Sequence, residues 1–562
     1  MKKIKYIACL LSLAVVSGCD SILDKGPLDS FTNDNFWTGE GNISGYANAF
    51  YEQFSGYGNG NGYGDFYFKT LSDDQAGMSF AKWTYPDNAP STSATWKNGW
   101  IEVRRANIML ENVPTVASLD EATKNHWLGV ARLMRAWQYY HLVRMYGNLP
   151  WIDKALNIND EGEIYGNRED RDMVMDKVLE DLDFAVTNIK DISSKTTWSR
   201  SLANAMKAEV CLYEGTFRKR EDGQQAPDAT GAARYLTACK EACLAVMSKG
   251  YKLNTSYQGN YNSTDLSSNP EMILYKAYKE GLLMHSTIDY TCSSTQISGM
   301  SKNAFESYLF KDGKPMALTS LNKSDEAPFQ YGHLSLKDIL AVRDKRLAQT
   351  IDTVLLYNGR GFTRFNTGME STSSTGYGVA KYDNEAIPEG FRSQSGKNYT
   401  HAPLFWLSVI YLNYAEACAE LGNITQDDLD KSINLLKDRA GLPHLNPIVG
   451  FSDPANNHGV SDLIWEIRRE RRCELMFDND NRYWDLIRWH QLDKLDTTKY
   501  PDIILGANVA NDMDGCEANK VGKYIDGSKD GSRIYDKKHY LYPIPTGQIA
   551  LNPQLAPNNP GW

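Results

Sequence analysis

The chain has 562 residues, 42% hydrophobic and 23% charged, with 70 acids against 60 lysines and arginines and a formal charge of −10. Such a length is ample for a large buried core. An acidic chain with no Lys/Arg-rich patch outside residues 468–472 lacks the footprint of a nucleic-acid binder, so no nucleic-acid partner is expected.

Three lysines (Lys2, Lys3, Lys5) open the chain, followed by a short apolar run from Tyr6 to Val16. The run is too short to span a bilayer and suits a secretory signal. It ends Val15-Val16-Ser17-Gly18-Cys19, the pattern of a bacterial lipobox. The expectation is a signal peptide over 1–18, lipidation at Cys19, and a mature chain over 19–562 tethered to a membrane by its acyl chains. Of the other cysteines, Cys211, Cys239, Cys243, Cys418 and Cys473 fall in helical patterns and read as buried free thiols rather than a disulfide scaffold.

Residues 53–97 are loop-rich, with Gly56–Gly64 and the aromatic residues Trp83 and Tyr85. A helix is predicted from about residue 98, with Trp96, Trp100 and Asn107 as frame positions. Residues 121–146 are apolar nearly all round, which predicts a helix buried on several sides and stopped by Gly147 and Pro150. Amphipathic helices follow over 170–190, 200–217 and 230–249, and a further pair over 404–421 and 426–440, closed by Gly422 and Gly441. Their lengths suggest divergent helical-hairpin repeats of the tetratricopeptide kind. Residues 251–402, rich in Gly, Ser, Asn and Thr, read as an irregular insertion of loops and short strands. The expected fold is mainly α: one unit, its helical frame at about 98–250 and 404–489, with loop-rich regions at about 53–97 and 251–402.

The stretch 464–489 carries charge where a helix should carry core. Leu463, Ile467, Glu470, Arg471 and Glu474 share one face, ahead of a turn at Asp478–Asn481. Buried charges must be paired, so Glu470 and Glu474 are expected to form an ion-pair lock with Arg482 and Arg488. The rival reading, a glycosidase acid pair, needs one carboxyl with a raised pKa, which nearby arginines oppose.

Catalytic signatures are missing: there is no HExxH, GxSxG or phosphate-binding GxxxxGK[ST]. The nine histidines are scattered, and a calcium-like start at Asp526 has Lys537 in place of the twelfth-position Glu. Neither a metal nor a cofactor is expected. Tyrosine (33) and tryptophan (13) outnumber phenylalanine (18), favouring rings with a polar handle for a wet binding surface. Asp73, Asp74 and Gln75 open the loop that carries Trp83 and Tyr85. Carboxylates and amides beside stacking rings are what a sugar's hydroxyl edges and C–H faces require.

Arg468-Arg469-Glu470-Arg471-Arg472-Cys473-Glu474-Leu475, followed by Arg482-Tyr483-Trp484-Asp485-Leu486 and Arg488-Trp489, resembles the C-terminal signature of the SusD/RagB family. Leu142–Pro150, Arg343–Leu347 and the terminal Tyr542-Pro543-Ile544-Pro545 to Trp562 are similar to further landmarks of that family, in order. The resemblance implies a non-enzymatic outer-membrane lipoprotein on the cell exterior. It would capture oligosaccharides and pass them to a SusC-like TonB-dependent transporter. It also implies ligand loops in the 53–97 region and in the middle insertion, where His285, Tyr290, Gln296 and Tyr308 are the candidate contacts. The alternatives are a RagB-like oligopeptide binder and, further off, a lipid-anchored glycoside hydrolase.

Overall fold

A computed structural model describes residues 36–68, 71–77, 88–220, 226–292, 298–321, 335–366, 370–479, 481–528 and 531–562. Cys19, Trp83, Tyr85 and Gln296 lie outside these residues. After helix α1 (Glu40–Asn48) come α2 (Ala94–Asn112), α3 (Glu121–Tyr146), α4 (Arg171–Asn188), α5 (Arg200–Arg218) and α6 (Ala229–Met247). The last five each begin at a side chain that accepts a hydrogen bond from the helix's own first turn: Ser93, Asp120, Asp170, Ser199 and Asp228. These residue types satisfy N–H groups the helix leaves orphaned, at about 1 kcal/mol each. Gly147, with φ +71°, ends α3 where the sequence places the stop.

Consecutive helices from α2 to α6 pack pairwise on one another. The short helices α7 (Thr287–Cys292) and α8 (Lys302–Ser307) belong to the middle region. The frame then resumes with α9 (Leu407–Glu420), which packs on α6, and α12 (Asp462–Glu474), which packs on α9. The result is a mainly helical protein, 45% helix, with a tetratricopeptide-like frame that is discontinuous in sequence. One hydrophobic core runs through both parts, joining Val130 and Leu202 of the frame to Leu266, Met300 and Tyr382 of the middle region and Leu486 near the end.

Strands are short. β1 (Gln75–Gly77) pairs antiparallel with β3 (Ser298–Met300), Gln75 opposite Met300 and Gly77 opposite Ser298. β2 (Met272–Lys276) pairs with β4 (Ala402–Trp406). A late three-stranded sheet has β5 (Leu505–Asn508) and β6 (Lys520–Val521) flanking β7 (Tyr524–Asp526).

Three boundaries differ from the sequence reading. The predicted helix 404–421 starts only at Leu407, because residues 402–406 form β4; Pro403 disfavours helix in the residue before it, and β2 offers a ladder. The predicted helix 426–440 is two helices, α10 (Gln426–Asp430) and α11 (Ile433–Ala440). They break at Ser432, whose hydroxyl donates to the Asp428 carbonyl. The break after α12 comes at Leu475, ahead of the predicted turn, with Phe477 (φ +70°) and Asn479 (φ +48°) in left-handed backbone before α13 (Asn481–Arg488). Cys211, Cys239, Cys243, Cys418 and Cys473, with Cys292 and Cys516, are buried free thiols. Among the described residues no helix is long and apolar enough to cross a membrane.

Candidate functional site

The charged face of α12 is buried and paired, but not with the partners expected. Arg346 donates to both Glu470 and Glu474, the latter at 2.9 Å, and to Asp344 at 2.6 Å. Arg439 of α11 donates to Glu474 and, at 2.9 Å, to Glu271. Burial pushes the Glu474 carboxyl up, yet Arg439 and Arg346 outweigh it and hold it below the usual range. That is the reverse of what a general acid needs. The lock between Glu470, Glu474, Arg482 and Arg488 is therefore corrected. The left-handed residues after α12 redirect the chain, so the arginines of α13 face other anions. Arg488 grips Glu416 of α9 through two bonds of 2.6 and 2.7 Å and also meets Asp485. Arg482 grips Asp73 through two bonds of 2.7 Å.

That last pair also corrects the sugar-contact expectation for the 73–75 segment. Asp73, Asp74 and Gln75 are 2–3% exposed. Arg472 donates to Asp74 at 2.7 Å. Although burial raises the Asp73 carboxyl, Arg472 and Arg482 overcome it and hold it well below the carboxylate range. These acids anchor β1 to α12 and α13. His285 and Tyr308 are interior as well. The His285 Nε2 donates to the Thr400 carbonyl at 3.0 Å, and its Nδ1 accepts from the Thr287 N–H at 3.1 Å. Burial lowers its pKa to about 3, so the ring is a neutral strut. The Tyr308 hydroxyl donates to the Cys473 carbonyl at 3.3 Å. Trp96 and Asn107 are buried frame residues, as read.

Tyr290, on α7, is half-buried at the surface beside two rings that the sequence reading did not single out. Tyr63 is 62% exposed and stacks on Phe68, with centroids 4.7 Å apart. Tyr290 meets Tyr63 edge-on at 5.5 Å and Phe68 at 5.8 Å. Polar groups rim the rings: Tyr290 donates to the Asn61 carbonyl at 3.1 Å, and the Ser395 hydroxyl donates to Tyr290 at 3.0 Å and to the Asn61 amide oxygen at 3.1 Å.

The glycine run builds this surface. Gly58 sits at φ +83°, and a Cβ there would lie 2.3 Å from the Gly62 carbonyl oxygen, so only glycine closes the turn that presents Asn61 and Tyr63. The Gly60 N–H donates to the Met284 carbonyl at 2.7 Å, and Ser286 donates to the Gly60 carbonyl at 2.7 Å. The turn is thereby pinned to the start of α7. Gly56–Gly64 with an embedded tyrosine was the available signal. Exposed rings with amide and hydroxyl groups at their edges can stack on a sugar's C–H face while hydrogen-bonding its hydroxyls. Among the described residues no group of three or more His, Cys, Asp or Glu could hold a metal.

Similarity to known proteins agrees with the frame. The SusD family profile matches residues 245–562, and a second, described as starch-binding associating with outer membrane, matches residues 29–212. SusD-like protein P38 of Formosa agariphila is 25% identical over 506 residues, covering 87% of this chain and 92% of its own. A SusD-like carbohydrate binding protein from Bacteroides fragilis superposes with TM-score 0.69 at 20% identity, covering 93% of this chain and 100% of its own. A laminarin binding SusD-like protein gives 0.58 at 18% identity, with 93% and 100% covered. Proteins of this family are non-catalytic, in keeping with a charged helix that is a scaffold rather than an acid pair. With the family profile spanning more than half of its length, the chain belongs to the SusD family.

Proposed function

We propose that the protein is a glycan-binding lipoprotein, anchored at Cys19 to the outer membrane and facing the cell exterior. It captures oligosaccharides and delivers them to a SusC-like TonB-dependent transporter. The observation that carries the reading is the exposed Tyr63–Phe68–Tyr290 surface, built jointly by the 53–97 and 251–402 regions and rimmed by Asn61 and Ser395. Further support comes from the laminarin-binding relative and from a related structure solved with xylogluco-oligosaccharide. Trp83 and Tyr85 follow β1 in the chain and Gln296 precedes β3, two strands that pair with Gly77 opposite Ser298. These three are proposed as additional contacts.

Calorimetry of the full-length protein in detergent against β-glucan, xyloglucan and neutral oligopeptide panels tests the reading. Glycan binding lost in Tyr63→Ala supports it. Binding of peptides and of no glycan replaces it with the RagB-like peptide reading. Co-purification with a TonB-dependent transporter tests the delivery step, and its failure under conditions that preserve both membranes' complexes removes that step.

A further inference from the structure

A cavity of about 460 Å³ lies between α8, the 453–457 loop, α12 and the 3₁₀ turn Leu492–Leu495, and shares no residue with the ring surface. Its wall is crowded with charge, most of it already matched. Arg482 is held by Asp73, Arg469 by Asp453 and Glu466, and Arg472 by Asp74. The remaining acids are engaged too: Glu306 pairs with Lys302 at 2.7 Å, and Asp502 accepts from the Asn303 amide at 2.6 Å.

Two cations are less fully matched among the described residues. Arg468, 3% exposed, shares the single carboxylate of Glu420 with Lys219 and Arg220, and its Nε and Nη1 find no acceptor among the described residues. The Lys494 ammonium makes no hydrogen bond or ion pair among the described residues; its Nζ lies over the Trp465 ring, 4.5 Å from the centroid. Burial, then the charge of Arg482, lowers its pKa to about 7. A further polar group lines the same wall. The side-chain amide of Gln491, 4% exposed, also lines the cavity with no hydrogen-bond partner among the described residues. Gln491, the residue before the 3₁₀ turn, and Lys494 within it both line this cavity.

A desolvated cation without an anion is costly, and an incoming anion gains a charge-assisted hydrogen bond there. The space exceeds what a bare inorganic anion fills and falls in the roughly 300–1,000 Å³ range of small-ligand sites. We propose that this cavity is a second saccharide site, selective for a sugar bearing an acid group, with the anion on Lys494, a hydroxyl on the Gln491 amide and the ring against Trp465. The carboxylate of a uronic acid and a sulfate ester both supply that chemistry. The site stands independently of the ring surface.

Calorimetry of the full-length protein in detergent compares D-glucuronate, D-galactose 6-sulfate, D-glucose, D-galactose and sodium sulfate. The acidic sugars are expected to bind about tenfold or more tightly than the neutral ones and than sulfate; whichever acid binds better identifies the source. Lys494→Met should reduce acidic-sugar affinity to the neutral level and Lys494→Arg should retain it. Tyr63→Ala should leave it unchanged. Gln491→Leu should weaken acidic and neutral sugars by the same factor, which guards against a Lys494 variant that fails to fold. Absence of acidic-sugar binding, equal affinity for neutral sugars, equal affinity for sulfate, or indifference to both Lys494→Met and Gln491→Leu overturns the proposal.

Discussion

Replacing Glu474 by glutamine tests whether the charged face of α12 is scaffold. Glu474 is fully buried and accepts from two guanidinium groups, those of Arg346 and Arg439. Glutamine keeps the volume and one acceptor oxygen, but turns an NH₂ group towards a cation. Removing one partner of a buried pair costs roughly 3–5 kcal/mol. Here each arginine retains another anion, Asp344 and Glu470 for Arg346 and Glu271 for Arg439, so the lower end, about 3 kcal/mol, is expected. For a large chain that is a fall of several degrees in unfolding midpoint, at about 2–4 °C per kcal/mol or less. The assay pairs a thermal melt of wild type and variant with glycan affinity measured well below both midpoints. An unchanged midpoint, or a loss of affinity matching that of Tyr63→Ala, refutes the assignment of Glu474 to the frame.

Tyr63→Ala removes an exposed ring, so the melt should shift little while glycan affinity falls roughly tenfold, by analogy with stacking worth about 1–3 kcal/mol; calorimetry reads both ends of that contrast. Gly58→Ala should lower affinity by closing off the turn, because it forces an unfavourable φ at a cost of about 1–2 kcal/mol and drives a Cβ into the Gly62 carbonyl. Asp74→Asn should destabilise the protein and leave affinity within about twofold, since Asp74 binds Arg472 from the interior. Glu416 gives a pH signature. Burial raises its carboxyl, but Arg488 dominates and holds it at about 2, below the ordinary 4.5. A depressed carboxyl contributes stability that is complete above about pH 4.5 and is lost as pH falls towards 2, about 3 kcal/mol in all. In Glu416→Gln the melting midpoint should depend less steeply on pH across that window, and an unaltered slope would contradict the pairing.

Much of the frame is legible before any coordinates. Apolar spacing and the stops at Gly147 and Gly441 are local signals, and a helix's boundaries depend chiefly on its own first and last turns. The misplaced boundaries have separate causes. Residues 402–406 join a ladder with a strand more than a hundred residues earlier, and the helix is interrupted where Ser432 takes a non-helical backbone that a periodic pattern does not encode. The charged segment reads as a buried ionic element from its own residues, but its partners are not encoded there. Asp73 and Arg482 are 409 positions apart, and nothing local in either says that they meet.

The candidate surface divides the same way. Composition and loop character directed attention to the 53–97 and 251–402 regions, and Tyr290 is indeed at the surface. His285, Tyr308, Asp73, Asp74 and Gln75 have the chemistry of sugar contacts but are interior, because residue type does not report exposure in a loop. What the amino-acid order alone determined is the helical frame, the thiol state, the buried charge of α12 and the family to which the chain belongs. Tertiary structure decided which anion each arginine meets, which tyrosines reach solvent, and that the Lys494 ammonium and the Gln491 amide line a cavity with no hydrogen-bond partner among the described residues. Helix formation follows from neighbours within a few residues, whereas ion pairing and exposure depend on where distant segments of chain come to rest.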